Sequence, residues 1–299
     1  MKTNWTGIIA APHTPFAADG SLSLGVIEKQ CQKLITDGVV GAFVCGSTGE
    51  GVSLSVAERK AVARRWVDVA SGRLKVIVHV GHTSTADAAE LAADAQAAGA
   101  DGISALAPYY FKPTSVGHLL DFLAPVAATA PELPFFYYHI PSMTGAALPM
   151  VPLLEQATER IPSFAGLKFT HNDLLEFAAC LRFENGRYDI FWGADECMLP
   201  ALSVGAVGFV GSTYNYSAPL YQKLRAAFVA GDLAEALRLS DTVMDAVRAL
   251  LQNPGLPSGK AIMEGMGIPV GAPRPPLRPL TTAQAEILVA RLRELGAIG

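Results

Sequence analysis

One lysine in an apolar segment is the first residue of this sequence that suggests chemistry. Lys168 lies in the stretch from Phe164 to Asp173, which reads as a short buried strand followed by polar residues that can open a helix. Removing an ammonium group from water favours the neutral amine, and the neutral amine attacks a ketone to give a Schiff base. Lys168 is therefore a candidate nucleophile. Two structural alternatives stay open: the side chain reaches solvent, or it pairs with Asp195 or Glu196.

Small hydroxyl residues and carboxylates follow other apolar segments, directly after the point where each predicted strand ends. The loop G-S-T-G-E at 46–50 offers Ser47, Thr48 and free N–H groups, which suit a carboxylate or phosphate; the alternative is an ordinary capped glycine turn. The pair Asp195 and Glu196 can bind sugar hydroxyls or serve as helix N-cap and first-turn acids. Thr170 and Ser212 hold comparable positions at predicted strand ends. The segments are G-L-K-F-T at 166–170, G-A-D-E at 193–196 and G-S-T-Y-N at 211–215.

Several tyrosines stand at two further strand ends. Tyr109 and Tyr110 lie in A-P-Y-Y-F-K-P, and Tyr137 and Tyr138 lie in F-F-Y-Y-H-I-P. A tyrosine in such a place either relays protons or packs with a satisfied hydroxyl, and the sequence leaves both roles open.

The histidines and glycines do not indicate a metal or dinucleotide enzyme. His79 and His82 have no cysteine or acid nearby to complete a ligand set. His139 and His171 either contact the residues that bind the substrate or have a purely structural role. No G-x-G-x-x-G follows a predicted strand, so a dinucleotide has no obvious binding site, and Schiff-base chemistry by Lys168 needs no other cofactor.

Composition indicates a cytoplasmic enzyme-sized protein. The 299 residues are 51% hydrophobic with a formal charge of −4 and scattered basic residues, which disfavours nucleic acid and anionic membranes as partners. No apolar run reaches the roughly 18 residues of a membrane span, and Pro12 interrupts the first apolar run before it could serve as a signal segment. Four cysteines without a C-x-x-C pair are predicted to be reduced thiols of the core, namely Cys31, Cys45, Cys180 and Cys197.

Apolar strands alternate with helices about eight times along the chain. Uninterrupted apolar strands of this kind are typical of a parallel sheet covered by helices, and eight units indicate a closed (β/α)8 barrel, a TIM barrel, over residues 1–230. The predicted strands are Gly7–Ala11, Gly41–Cys45, Leu74–Val80, Gly102–Leu106, Pro134–Tyr138, Phe164–Phe169, Tyr188–Trp192 and Ala206–Val210. The predicted helices are Leu22–Thr36, Ser55–Ser71, Thr85–Ala98, Ser115–Thr129, Pro149–Thr158, Leu174–Arg182, Cys197–Val204 and Pro219–Ala230. In such barrels the chemistry gathers at the C-terminal ends of the strands, where all the residues above would meet.

A helical extension over residues 231–299 follows the barrel. We expect helices over Asp232–Leu251, Ser258–Met266 and Thr281–Leu295, the last with a capping box made by Thr281 and Gln284. The proline-rich segment at 269–280 is either a polyproline ligand for a partner or a rigid linker packed on the barrel.

Taken in order, these motifs resemble the class I aldolases related to N-acetylneuraminate lyase and dihydrodipicolinate synthase. The likeness covers the whole chain, including the extension, and rests on G-S-T-G-E, Y-Y-H-I-P at 137–141, G-L-K-F-T, G-A-D-E and G-S-T-Y-N. The resemblance implies that Lys168 forms the Schiff base with a 2-keto acid, that Tyr138 moves the proton, and that Ser47 and Thr48 hold the pyruvate carboxylate. It also implies a homo-oligomer, usually a tetramer, in which Tyr110 lies in or near a neighbouring subunit's site.

The lyase branch of that family fits better than the synthase branch. Synthases typically carry an arginine two residues after the proline of Y-x-x-P, and here that residue is Met143. In the lyase branch, the resemblance implies that the sugar acid contacts Thr170, Gly193, Asp195, Glu196, Gly211 and Ser212. Reversible cleavage of N-acetylneuraminate to N-acetylmannosamine and pyruvate is then the expected reaction. The alternatives are the same chemistry on another 2-keto-3-deoxy sugar acid or hydroxy-oxo-acid, dihydrodipicolinate synthesis, and a non-catalytic pyruvate sensor. His139 departs from the asparagine of many bacterial lyases.

Overall fold

Eight parallel strands close into a barrel in sequence order in the computed structural model, which describes residues 2–299. The last strand pairs with the first, so the ring has no open edge. The strands are β1 Gly7–Ala10, β2 Gly41–Val44, β3 Lys75–His79, β4 Gly102–Leu106, β5 Phe135–His139, β6 Phe164–Phe169, β7 Asp189–Trp192 and β8 Gly208–Gly211. The predicted (β/α)8 barrel is confirmed.

Helices surround the barrel and continue beyond it. They are α1 Val26–Thr36, α2 Val56–Ala70, α3 Thr85–Ala97, α4 Val116–Ala128, α5 Pro141–Thr144, α6 Met150–Arg160, α7 Leu174–Arg182, α8 Met198–Ser203, α9 Tyr214–Val229, α10 Leu233–Leu251, α11 Gly255–Gly265 and α12 Thr282–Glu294. Capping boxes begin α2 at Ser55 and α12 at Thr281, as predicted. None of the helices within residues 2–299 has the length and apolar character that crossing a membrane requires.

Several helix boundaries differ from the prediction, and one short helix was not predicted. The helix predicted over Pro219–Ala230 begins earlier, because α9 starts at Tyr214 and carries Pro219 in its interior. Likewise, α11 begins at Gly255 rather than at Ser258. The one-turn helix α5 was not predicted, because four residues are too few to show a period.

The interior of the barrel and the layer under the helices form two separate apolar clusters. Along β5, Phe136 and Tyr138 belong to the interior cluster, whereas Phe135 and Tyr137 belong to the outer layer. This alternation is the ordinary period of two in a strand. It places Tyr138 inside the barrel and Tyr137 outside.

An irregularity in β6 turns Lys168 inward. Phe164 faces the outer layer and Ala165 the interior, so regular alternation would send Lys168 outward. The register with β5 shifts there, pairing Phe135 with Phe164 and the next residue, Phe136, with Gly166. One extra residue in a strand reverses the facing of every later side chain. No side chain fits at the shift, since a Cβ on Gly166 would lie 1.8 Å from a backbone oxygen of β7.

The extension packs on the barrel through its linker. The Arg274 guanidinium donates to the backbone oxygens of Gly20 and Ser53, and it pairs with Glu58. Val270 is fully buried, and the Arg274 guanidinium lies 4.5 Å from the centre of the Phe16 ring. The segment at 269–280 is thus packed on the barrel, as the linker alternative predicted.

Candidate active site

Lys168 is enclosed by aromatic rings near the C-terminal ends of the strands. Its side chain is 4% exposed, and Nζ lies 3.9 Å from the centre of the Tyr138 ring and 4.1 Å from that of Phe43. Within residues 2–299 no carboxylate forms an ion pair with this amine. Both alternatives, extension into solvent and pairing with Asp195 or Glu196, are therefore wrong.

The ring of Tyr138 is itself held edge-on by two neighbours. Phe43 packs against it at 5.5 Å between ring centres and 75°, and His79 at 5.6 Å and 89°. Such edge-to-face contacts fix the plane of a ring. Burial lowers the pKa of His79 well below its usual value, and the charges of Arg59 and Lys168 lower it further, so this imidazole is neutral. Lys168 and Tyr138 thus stand together at the base of the site, as the sequence predicted.

A cavity of about 700 Å³ opens above this pair. It brings together almost all the residues singled out from the sequence: Ser47, Thr48, Tyr138, Lys168, Thr170, Gly193, Asp195, Glu196, Gly211 and Ser212 all line it. Tyr110 does not. It is 78% exposed and packs edge-on against Phe111, with 5.0 Å between ring centres.

The loop after β2 forms the wall beside Tyr138. Ser47 Oγ lies 3.5 Å from Tyr138 Oη, at the long limit of a hydrogen bond. The bend is tight, with Glu50 N donating to Ser47 O and Gly51 N donating to Gly46 O, both at 3.1 Å. Small hydroxyl residues in such a loop can offer O–H and N–H groups to an anion.

The opposite wall carries polar groups suited to hydroxyls. Thr170 Oγ1 is buried, and none of residues 2–299 hydrogen-bonds to it. Its place depends on Gly193, because a Cβ there would lie 2.0 Å from this oxygen. A buried hydroxyl without a partner is costly, and a ligand hydroxyl could satisfy it. Glu196 and Ser212 line the cavity next to it.

Asp195 is anchored inside the protein instead of capping a helix. Its Oδ2 accepts from Thr213 N at 2.8 Å and from Thr213 Oγ1 at 2.7 Å, and it makes no side-chain cap on its own helical turn. The N-cap alternative for this residue is therefore wrong. A Cβ on Gly211 would lie 1.6 Å from Asp195 Oδ1, so only glycine leaves room for the carboxylate.

Burial gives Asp195 a measurable effect on stability. Burial raises its pKa from 3.8 to about 6, against the lowering effect of the Thr213 hydrogen bonds. Between about pH 4 and pH 6 the native state therefore keeps a proton that the unfolded chain has released. We expect the free energy of unfolding to fall by up to roughly 3 kcal/mol across that window through this group alone.

Asp195→Asn should lack this contribution. Urea unfolding of both proteins, at several pH values and one protein concentration, gives their free energies of unfolding. The difference between the two free energies should change between pH 4 and pH 6.5 by the contribution of Asp195. Parallel stability curves would contradict the prediction.

The extension supplies a wall that the sequence did not reveal. Val247, Leu250, Leu251, Leu256 and Gly259 line the cavity from α10 and α11, together with His13 after β1. His13 is 1% exposed, and burial, together with the charge of Lys260, lowers its pKa to about 3. Apolar residues on a helix predict packing, so no sequence signal separated this wall from ordinary core.

The other candidate groups lie outside the cavity or at its rim. Tyr137 is buried in the outer layer, where burial raises its pKa. Burial also lowers the pKa of His139 to about 4, and its ring lies 5.7 Å from that of His171, which lines the cavity. No group of three metal-ligating side chains occurs among the residues described. All four cysteines are free.

Comparisons with known proteins find a matching family and similar full-length chains. The model of the dihydrodipicolinate synthetase family matches residues 4–295. The N-acetylneuraminate lyase of Mus musculus is 42% identical over 98% of this chain and 93% of its own. Among solved structures, the Proteus mirabilis N-acetylneuraminate lyase superposes with a TM-score of 0.96 at 44% identity, covering 98% of this chain and 99% of its own. The Aliivibrio salmonicida N-acetylneuraminate lyase (sialic acid aldolase) gives 0.96 at 42%, covering 99% and 98%.

Proposed function

Because the chain belongs to the dihydrodipicolinate synthetase family, we propose that it cleaves N-acetylneuraminate reversibly to N-acetylmannosamine and pyruvate. The enzyme is a carbon–carbon lyase, an aldolase. One observation carries the proposed roles: Lys168 Nζ lies 3.9 Å from the Tyr138 ring at the base of a cavity with a hydroxyl loop on one side and carboxylates on the other.

The first step joins the substrate to the protein. The amine of Lys168, in its neutral form, attacks C2 of the open-chain ketone. A proton from solvent joins the hydroxyl left on C2, this hydroxyl leaves as water, and an iminium that can accept electrons remains. Ser47 and Thr48 hold the neighbouring carboxylate and so orient C2 toward the amine. Phe43 and Tyr138 keep bulk water away from Nζ.

The second step breaks the C3–C4 bond. Tyr138 Oη accepts the proton of the C4 hydroxyl as its own phenolic proton passes to the substrate carboxylate, the bond electrons move into the iminium, and N-acetylmannosamine leaves as the aldehyde. The remaining enamine takes a proton at C3, and water hydrolyses the iminium to release pyruvate. Thr170, Gly193, Asp195, Glu196, Gly211 and Ser212 would contact the polyhydroxyl chain.

Substrate comparison tests the proposal. Pyruvate release is measured from N-acetylneuraminate, from 2-keto-3-deoxy sugar acids and from 4-hydroxy-2-oxoglutarate, and the first should give the highest kcat/KM. If N-acetylneuraminate were the poorest of the three, the lyase assignment would fall. Borohydride reduction with pyruvate separates an enzyme from a non-catalytic sensor, because only Schiff-base chemistry leaves a stable adduct on Lys168.

Met143 bears on the synthase alternative. It lies in α5, lines the cavity and is 67% exposed, at the position where synthases carry arginine. Met143→Arg should raise kcat/KM for condensing pyruvate with a carboxylate-bearing aldehyde by at least about tenfold, through a charge-assisted fork. Met143→Lys is the matched control and should gain less, since its point charge lacks the fork. An equal gain with uncharged aldehydes would contradict this reasoning.

We also propose a homo-oligomer, usually a tetramer in this family. Tyr110 and Phe111 expose 78% and 84% of their surface, and aromatic residues are enriched in subunit interfaces. Light scattering of the purified chain gives the subunit number.

The free cysteines support a reducing, cytoplasmic location. We further propose a division into a barrel, 1–230, and an extension, 231–299, with α10 beginning at Leu233.

A further inference from the structure

A buried ion pair joins the extension to the loop that lines the cavity beside Tyr138. Lys260 Nζ of α11 lies 2.8 Å from Glu50 Oε1, and the two side chains are 2% and 1% exposed. Glu50 is the last residue of G-S-T-G-E, two residues after Thr48. Taking both charges out of water is costly, so the pair is a weak source of stability by itself.

Both side chains of the pair also bind the backbone of two other segments. Lys260 Nζ donates to Thr14 O at 2.9 Å and to Ala272 O at 3.2 Å. Glu50 Oε2 accepts from Arg274 N at 2.8 Å. The loop after β1, the loop after β2, α11 and the linker therefore meet at one buried junction.

The loop needs an external constraint to keep its shape. Glu50 has a φ of 54°, in the left-handed region that a residue with a side chain seldom adopts. Such strain persists only where surrounding groups hold it. A second bond from the same junction reaches the loop, since Thr14 Oγ1 donates to Gly49 O at 2.6 Å.

We propose that Glu50 and Lys260 are positioning residues, which hold Ser47 and Thr48 in the geometry that binds the substrate carboxylate. The extension is then part of the catalytic apparatus, acting through the loop without touching the reacting atoms. This inference rests on the proposed function, because it assigns the loop to pyruvate.

Three variants separate positioning from stability. Glu50→Gln and Lys260→Met each leave one buried charge without its partner, and both should lower the melting temperature. The double variant Glu50→Met with Lys260→Met removes both charges and should recover most of that loss. It cannot restore the bonds to Thr14 O and Arg274 N, so the loop should stay displaced.

Borohydride trapping at increasing pyruvate concentrations measures how well the loop binds pyruvate. All three variants should need roughly tenfold more pyruvate for half-maximal trapping, the factor that corresponds to one lost hydrogen bond to the ligand. Trapping at saturating pyruvate should stay near the wild-type rate, as expected when binding is lost before chemistry. Lys60→Met is the matched control: it removes an ion pair with the exposed Glu90 on the barrel surface and should change neither measurement.

The double variant is decisive even where the single variants fold poorly. If it recovers the melting temperature and also the wild-type pyruvate dependence, the pair is only structural and the inference is overturned. If the wild-type protein is trapped with pyruvate and the double variant shows the same pyruvate dependence, the inference is wrong but the proposed function stands. Wild-type protein that forms no adduct at saturating pyruvate would overturn the proposed function, and the inference with it.

Discussion

Lys168→Ala should lose pyruvate release by a factor on the order of 10⁴ to 10⁶, the scale on which removing an enzymatic nucleophile acts. The physical reason is that no other amine stands where Nζ now lies, between the rings of Phe43 and Tyr138. Without the iminium, the electrons of the C3–C4 bond have no acceptor. The coupled assay with N-acetylneuraminate measures the rate, and mass spectrometry after borohydride reduction should find no pyruvate adduct.

Two controls make this result specific to the amine. Lys168→Met keeps most of the buried volume without a nucleophile, so it should fold better than the alanine variant and be equally inactive. Lys112→Ala removes an exposed lysine on the loop after β4 and should keep both activity and adduct. A Lys168→Met protein that still acquired the adduct would move the Schiff base to another residue.

The barrel itself could be predicted because its signals are local and repeated. Eight apolar segments alternate with helical periods, and capping residues such as Ser55 mark where helices begin. The residues at the strand ends then converge, since strands of a closed parallel barrel all end on one face. Lys168, Tyr138 and Thr170 could therefore be expected at one site from the sequence.

Features that depend on tertiary placement were out of reach. The extension wall with Leu250 and Leu256 is apolar sequence that equally predicts core packing, and only the path of the chain puts it over the cavity. Glu50 looked like one more polar residue of a glycine loop, yet its partner is Lys260, far along the chain. One sequence feature could have indicated the register shift that turns Lys168 inward, namely Gly166 inside the predicted strand.

Tyr138→Phe should lower kcat by about 10² to 10⁴, the range that one positioned proton acceptor contributes. Phenylalanine keeps the ring that packs on Lys168, Phe43 and His79, so the amine should stay in place. The variant should therefore still form the adduct with pyruvate, because that step does not require the C4 hydroxyl proton to move. Steady-state cleavage of N-acetylneuraminate and borohydride trapping measure the two steps separately.

Tyr137→Phe is the matched control, since it removes the same hydroxyl from the adjacent residue of the same strand. Tyr137 faces the outer layer, and its buried hydroxyl has no hydrogen-bond partner within residues 2–299. Removing this unsatisfied buried hydroxyl should leave kcat unchanged and should not lower stability. If Tyr138→Phe lost adduct formation and cleavage in equal measure, Tyr138 would act in forming the Schiff base, and the proton transfer at C4 would have to be assigned to another group. An unchanged kcat in Tyr138→Phe would exclude the phenol from catalysis, whatever its distance from the amine.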